Sequence, residues 1–317
     1  MKRTLLRSYY KVLLLVLGLS FASWVNAQSE YYAVSSNKLT HYLGLSIGGG
    51  EANRIRINTD ALRNKAGGAA SFAFHYEMQY RSWMWGLGVE GAFQHLHDQV
   101  LPFSDSFARV DIDGDEVNYA YVYTAYGEKS QTANLRIPIY FGKSFSKVYT
   151  LIGVRLEIPI WSQYGVVADM YTQGTYPWSI TPVVSDGVND FSSLGFYPTK
   201  TYTYANTYEE KLHITPFVEV GYEFFRTDKV NMRVGAYGAY AIPMISSAER
   251  ISLVDYSHID TRPQTQTQAN MEKNIRWNPL VDSDKYPSSP HRLEVGVKLT
   301  ILFNVTADNH KCMCVKI

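Results

Sequence analysis

Apolar and polar residues alternate with a period of two, not 3.6, along most of the chain beyond residue 39. That rhythm predicts strands with one apolar and one polar face. Eight segments carry it, at residues 40–50, 69–81, 84–97, 132–143, 149–161, 211–225, 230–243 and 291–303. Each reaches the roughly 9–11 residues that a tilted strand needs to cross a bilayer. In the last segment Leu293, Val295, Val297, Leu299, Ile301 and Phe303 share one face, and Arg292, Glu294, Gly296, Lys298 and Thr300 the other. Segment 211–225 repeats this, with Leu212, Ile214, Val218, Val220, Tyr222 and Phe224 opposed to Lys211, His213, Thr215, Glu219 and Glu223.

The links between segments alternate too. Tight turns fall around Ser82, 144–148 and 226–229, whereas 51–68, 98–131, 162–210 and 244–290 are long. Short turns on one side and long loops on the other predict an all-β, eight-stranded antiparallel up-and-down transmembrane barrel, with periplasmic turns and extracellular loops. An even strand count returns both ends to the short-turn side.

Charge parity states which face is inside. Within the crossing segments Glu77, Glu90, Glu157, Glu219, Glu223 and Glu294 share one parity with Arg81, Arg136, Arg155, Arg233, Arg292 and Lys298. The opposite parity carries no charge until Lys143. A base facing lipid at mid-depth costs roughly 2–4 kcal/mol, so these twelve are expected to form a charge network inside. Eight strands leave an interior that side chains can fill, which predicts a salt-bridged, largely plugged lumen. A soluble sandwich or a lipocalin-like barrel would invert the faces and has the same alternation. The membrane reading is favoured by tight one-sided turns and by an expected periplasmic girdle of Tyr80, Trp83, Trp85, Phe145, Tyr149, Phe224, Phe225 and Phe303.

Composition narrows the partners. Lys+Arg 30 against Asp+Glu 29 gives a net charge of +1 over 317 residues, without the basic footprint of a nucleic-acid binder. Charged residues make up 19% and aromatics 14%, with 25 Tyr. Mean hydropathy is −0.19, and no apolar run beyond the first segment is long enough for a membrane helix. Residues 1–27 read as a signal peptide. Lys2, Arg3, Arg7 and Lys11 precede an apolar stretch at 12–19, and Val25-Asn26-Ala27 fits small-x-small cleavage. Residues 28–39 are then a periplasmic N-terminal segment, 40–303 the barrel, and 304–317 a periplasmic tail.

These features, with the ending Leu299-Thr300-Ile301-Leu302-Phe303, resemble the OmpA/OmpX-type outer-membrane barrels. The long-loop version, of Bacteroidetes type and often labelled outer membrane protein beta-barrel or porin family, is the nearest match. The resemblance spans about 40–303 and implies residence in the outer membrane of a Gram-negative bacterium, in contact with lipid bilayer and lipopolysaccharide. It also implies insertion by the barrel assembly machinery, which reads a terminal aromatic such as Phe303. The chain departs from the pattern by continuing to Ile317, and it lacks a peptidoglycan-binding domain.

Candidate chemistry is sparse, and no catalytic residue, cofactor or metal is assigned. Asp111, Asp113 and Asp115 are spaced like the acids of a calcium loop, but the sixth and twelfth positions are Glu116 and Val122 where Gly and Glu are needed. Asp113-Gly114 reads better as a hairpin turn between 109–112 and 115–126. His95, His97 and Asp98 stand where a rim hydrolase would put them, but alternation sends Asp98 to the other side. Cys312 and Cys314 in the tail are too close along an extended chain for an unstrained bridge. They suggest docking to a periplasmic partner. Tyr164, Tyr171, Tyr176, Trp178, Phe191, Phe196, Tyr197, Tyr202, Tyr204 and Tyr208 crowd one loop, suited to contact or to packing the loops on one another. The expectation is a non-enzymatic barrel acting as a structural or surface-interaction protein. The alternatives are a narrow diffusion channel, and a rim-sited lipid A-modifying enzyme or protease. A ten-stranded barrel would need a membrane hairpin at 166–184, against which Pro177 and Pro182 argue.

Overall fold

The computed structural model describes residues 39–55, 62–110, 114–184, 196–244, 251–256, 275–283 and 291–306. The signal peptide, Phe191 and the tail thiols Cys312 and Cys314 lie outside the described residues, as do Asp111 and Asp113.

Among the described residues thirteen strands follow one another: β1 (Thr40–Arg54), β2 (Leu62–Tyr80), β3 (Trp83–Val100), β4 (Phe103–Val110), β5 (Glu116–Phe145), β6 (Val148–Thr175), β7 (Val183–Val184), β8 (Lys200–Thr207), β9 (His213–Arg226), β10 (Val230–Pro243), β11 (Val254–Asp255), β12 (Arg276–Trp277) and β13 (Arg292–Asn304). Eight close a ring in the order β1-β2-β3-β5-β6-β9-β10-β13, every contact antiparallel and β13 returning to β1. Closure uses the backbone donors and acceptors that a sheet edge would leave bare in a bilayer. Val166 and its neighbours extend β6 instead of adding a membrane hairpin, so the ring has eight strands and not ten.

Outside and inside divide as parity demands. Leu43, Ile47, Phe72, Phe74, Leu87, Val89, Ile139, Ile152, Val154, Val218, Val295 and Val297 are exposed on the outer wall. Glu77, Glu90, Arg136, Arg155, Glu157, Glu219, Arg233, Arg292 and Glu294 are buried. A water-soluble barrel would have these two sets exchanged. The fold is therefore an all-β barrel turned outward for lipid.

Several strands overrun the predicted bounds, by far the most on the side away from the short turns. β5 runs unbroken for 30 residues and β6 for 28. The outward positions of β5 change from Leu135, Ile137, Ile139 and Phe141 to Gln131 and Lys129 toward its start, which marks the upper edge of the apolar belt. A bulge falls at this level, between Ala133 and Asn134. Beyond it β4, β5, β6 and β8 continue as a sheet standing above the belt. Much of the predicted loop sequence is thus ordered sheet, because Val117, Tyr119, Tyr121 and Tyr123 keep the same alternation and have a packed core to face. Gly114, at φ 91, adopts a backbone that suits glycine.

At the short-turn end, two predicted positions need correction. Arg81 is not in the lumen. β2 stops at Tyr80, and Arg81 is an exposed turn residue at φ 57, its guanidinium 5.4 Å from the Tyr80 ring centroid. Tyr149 is not in the girdle. It shares the inward parity of Arg155 and Glu157 and is fully buried. Its ring lies where only glycine fits, since a Cβ on Gly221 or Gly235 would stand 2.5 Å from it. Trp83, Trp85, Phe224, Phe225 and Phe303 are exposed at this end, and Tyr80 and Phe145 are half-buried. Phe224 and Phe225 both face outward because the β9–β10 register shifts between Met232 and Arg233.

Candidate functional site

The barrel interior is built in three levels. Nearest the short turns, Arg233 of β10 makes an ion pair with Glu77 of β2, and Lys298 of β13 with Glu219 of β9. Tyr140 donates to Glu77 at 3.0 Å and Tyr149 to Glu219 at 2.7 Å. The Arg233 guanidinium also lies 4.9 Å from the Tyr149 ring centroid. Each acid is thus held by a cation and a phenol, as burial of charge requires. Glu223 lies below this level, paired at 3.2 Å with the exposed Arg226.

The middle level centres on Arg136 of β5. Its guanidinium is 2.8 Å from Glu90, 2.7 Å from Glu294 and 3.3 Å from Glu157. Arg292 takes the other oxygen of Glu157 at 2.9 Å. Gln94 and Tyr237 each donate to Glu294 at 2.8 Å. Arg155 lies between the rings of Phe217 and Tyr237, 4.5 and 5.2 Å from their centroids, and 3.8 Å from Glu294. Between these two levels is a gap of about 20 Å³ lined by His75, Arg155, Arg233 and Lys298 among others, room for about one water molecule.

The third level lies above the apolar belt, and parity past residue 50 would have revealed it. Arg54 on β1 reaches Asp98 at 3.0 Å, Glu128 at 3.5 Å, Ser130 at 3.2 Å and Tyr208 at 3.5 Å. Tyr208 donates to Glu210 at 2.7 Å. Burial pushes the Glu128 carboxyl up to about 7, against the pull of Arg54 and of the Leu280 N–H that donates to it at 2.8 Å. Glu210 is also penalised by burial, yet Arg292 and Arg54 beside it hold it below the usual carboxylate range.

A hydrophobic cap lies over this level. Segments 251–256 and 275–283 are tied together through β11 and β12, and they bring Leu253, Val254, Ile275, Trp277 and Leu280 against Val100, Tyr121, Tyr123, Tyr126, Tyr164, Val166, Met170, Tyr197 and Tyr202. Tyr164 donates to the Trp277 carbonyl at 2.6 Å. Tyr256 bridges Tyr123 and Asp105, at 3.0 Å each. Most of the loop aromatics noted in the sequence therefore pack on one another. Tyr164, Phe196, Tyr197 and Tyr202 are buried, whereas Trp178 is 67% exposed and the nearby Ile180 fully so. Tyr176 stacks on Trp178 with centroids 4.9 Å apart.

The rim residues do not converge. Asp98 is buried in the Arg54 cluster, while His95 and His97 occupy the opposite face of β3 and are only half-buried. Among the described residues, no group of three His, Cys, Asp or Glu side chains is arranged to hold a metal ion.

No protein-family model matches the chain, and no curated protein matches it. Solved structures that resemble the chain include two outer-surface proteins of other organisms. One is the crystal structure of Neisserial surface protein A, at 8% identity and TM-score 0.24, covering 83% of this chain and 98% of that one. The other is Ail, the attachment invasion locus protein of Yersinia pestis, in complex with the heparin analogue sucrose octasulfate, at 8% identity and TM-score 0.21, covering 84% and 98%. Likenesses this distant carry no argument about ligand or partner, and the eight-strand ring stands on its own hydrogen-bonded register.

Proposed function

We propose that the protein is a non-enzymatic outer-membrane barrel of a Gram-negative bacterium that works at the cell surface and not as a conduit. Supporting this reading are the Arg136 and Arg233 ion-pair levels that cross the lumen and the cap packed around Trp277. Moving solute would require parting ion pairs that bridge strands within the lumen. What remains available for contact is the sheet above the belt, whose β6–β7 tip presents Trp178 and Ile180 to solvent. Exposed aromatic and aliphatic side chains on a rigid support favour protein contact, since little entropy is lost on docking. Insertion by the barrel assembly machinery belongs to the same reading.

Planar bilayers test it. The purified protein is expected to give no stable conductance steps, and reproducible pores of uniform size would defeat the closed-lumen proposal. Whole-cell adhesion or aggregation measured with Trp178→Ser and Ile180→Ser is expected to fall, with surface display unchanged. Unaltered adhesion would remove the tip from the proposal.

A further inference from the structure

The three short turns are far more basic than the chain as a whole. With the strand residues that flank them, they hold Arg81, Lys143, Lys147, Arg226 and Lys229 against the single acid Asp228, whereas all 317 residues together carry a net charge of +1. Arg226 is engaged by Glu223. Among the described residues, no ion pair ties Arg81, Lys143, Lys147 or Lys229 to an acid. Arg81, Lys147, Arg226 and Lys229 are exposed.

Their depth is fixed by what adjoins them. Trp83, Trp85, Phe141, Phe224, Phe225 and Phe303 face outward in the last turns of the apolar wall, where aromatics mark the boundary between acyl chains and headgroups. The cations lie a residue or two farther along, and a strand rises only about 3.3 Å per residue. Lys143 makes the junction explicit, its ammonium 5.0 Å from the ring centroids of both Trp83 and Phe145. An ammonium beside these two rings lies at the level of the aromatic belt, where headgroup phosphates meet the protein.

We propose that this end of the barrel is a collar that selects anionic phospholipid headgroups from the leaflet it touches. The inference rests on the membrane reading and deepens it by naming the lipid class. A phosphodiester bearing a net negative charge meets several cations along the turns, whereas a zwitterionic headgroup brings its own ammonium and gains less. Each cation near such a surface contributes about a fivefold preference. The effect is electrostatic and exposed, so it must fade with salt.

The test uses the full chain folded into phosphatidylcholine vesicles that contain a minority of brominated lipid, either phosphatidylglycerol or phosphatidylcholine at equal mole fraction. Trp83 and Trp85 report proximity through fluorescence quenching. Brominated phosphatidylglycerol is expected to quench severalfold more efficiently at low ionic strength, and the excess is expected to vanish at high salt. The excess should also vanish in the variant carrying Arg81→Gln, Lys143→Gln, Lys147→Gln, Arg226→Gln and Lys229→Gln. Equal quenching by the two lipids at low salt would overturn the collar. So would an excess that survives Trp83→Phe with Trp85→Phe, because it would arise elsewhere on the protein. If the variant fails to fold, the salt titration of the native chain still decides. Failure of the native chain to insert into phosphatidylcholine vesicles at all would overturn the membrane reading itself, a result distinguishable from insertion without lipid preference.

Discussion

Arg136 on β5 spans the lumen to Glu294 on β13 with a 2.7 Å contact, joining strands that are not neighbours in the ring. The same guanidinium neutralises Glu90 and Glu157, so three carboxylates converge on one cation. Arg136→Gln would leave them facing one another with only Arg292 and Arg155 nearby. The expected loss is about 3–5 kcal/mol, the cost of an uncompensated buried charge, read as a lower urea midpoint for the protein folded in vesicles. Adding Glu294→Gln to Arg136→Gln should recover part of that loss, which a pair of independent sites would not do.

The Glu128 carboxyl makes the cap responsive to pH. Its folded value of about 7 lies above the ordinary 4.5, so the folded protein binds this proton more tightly than the unfolded chain does. The stabilisation it gives is complete below pH 4.5 and is lost as pH rises toward about 7. Protection factors at the Leu280 and Trp277 amides, corrected for the intrinsic pH dependence of exchange, are expected to be larger at pH 5 than at pH 8. Glu128→Gln should flatten that difference. Glu210, displaced in the opposite direction by Arg292 and Arg54, contributes its own slope only under more acidic conditions.

Gly86 on β3 is the floor on which Tyr140 rests. A Cβ there would stand 2.1 Å from the Tyr140 ring, inside any allowed contact, and the ring is held by its hydrogen bond to Glu77. Gly86→Ala is expected to destabilise the barrel by about 1–3 kcal/mol, as overpacking does. Tyr140→Phe should cost less, because Arg233 and Gln79 remain on Glu77. Thermal conversion of the folded band on gels would order the two variants.

Trp277 is fully buried in the cap and borders Tyr202 and Tyr204. Trp277→Ala removes a large side chain from a satellite core, so opening should be local. Limited proteolysis is expected to cut between residues 251 and 283 severalfold faster, while the barrel keeps its folded mobility. Equal loss of both would show that cap and barrel form one cooperative unit.

The ring and its inward charges were readable because strand parity is a local property. Leu293 through Phe303 reveal which face of β13 meets lipid before any partner strand is known. The failures also have local causes. Arg81 kept the right parity one residue past the point where the strand ends. Tyr149 was placed by its nearness to a turn, although the parity shared with Arg155 and Glu157 points it inward. Arg54, Asp98 and Glu128 obey the same alternation but fall in sequence assigned to loops, so the third level went unseen. The cap was out of reach for a different reason. Trp277 and Leu280 meet Tyr123 and Tyr164 across more than a hundred residues, a pairing that periodicity does not encode.

The unbroken course of β5 also has a mechanical meaning. The strand that lines the lumen at Arg136 is the same one that supports the aromatic headpiece at Tyr121, continuous through register shifts at Tyr123/Ala125 and Ala133/Asn134. A pull on the outermost tip would run as shear along the β5–β6 ladder, loading many hydrogen bonds at once instead of peeling them singly. Such a structure would hold a tether under flow and pass the strain straight into the wall of the cylinder.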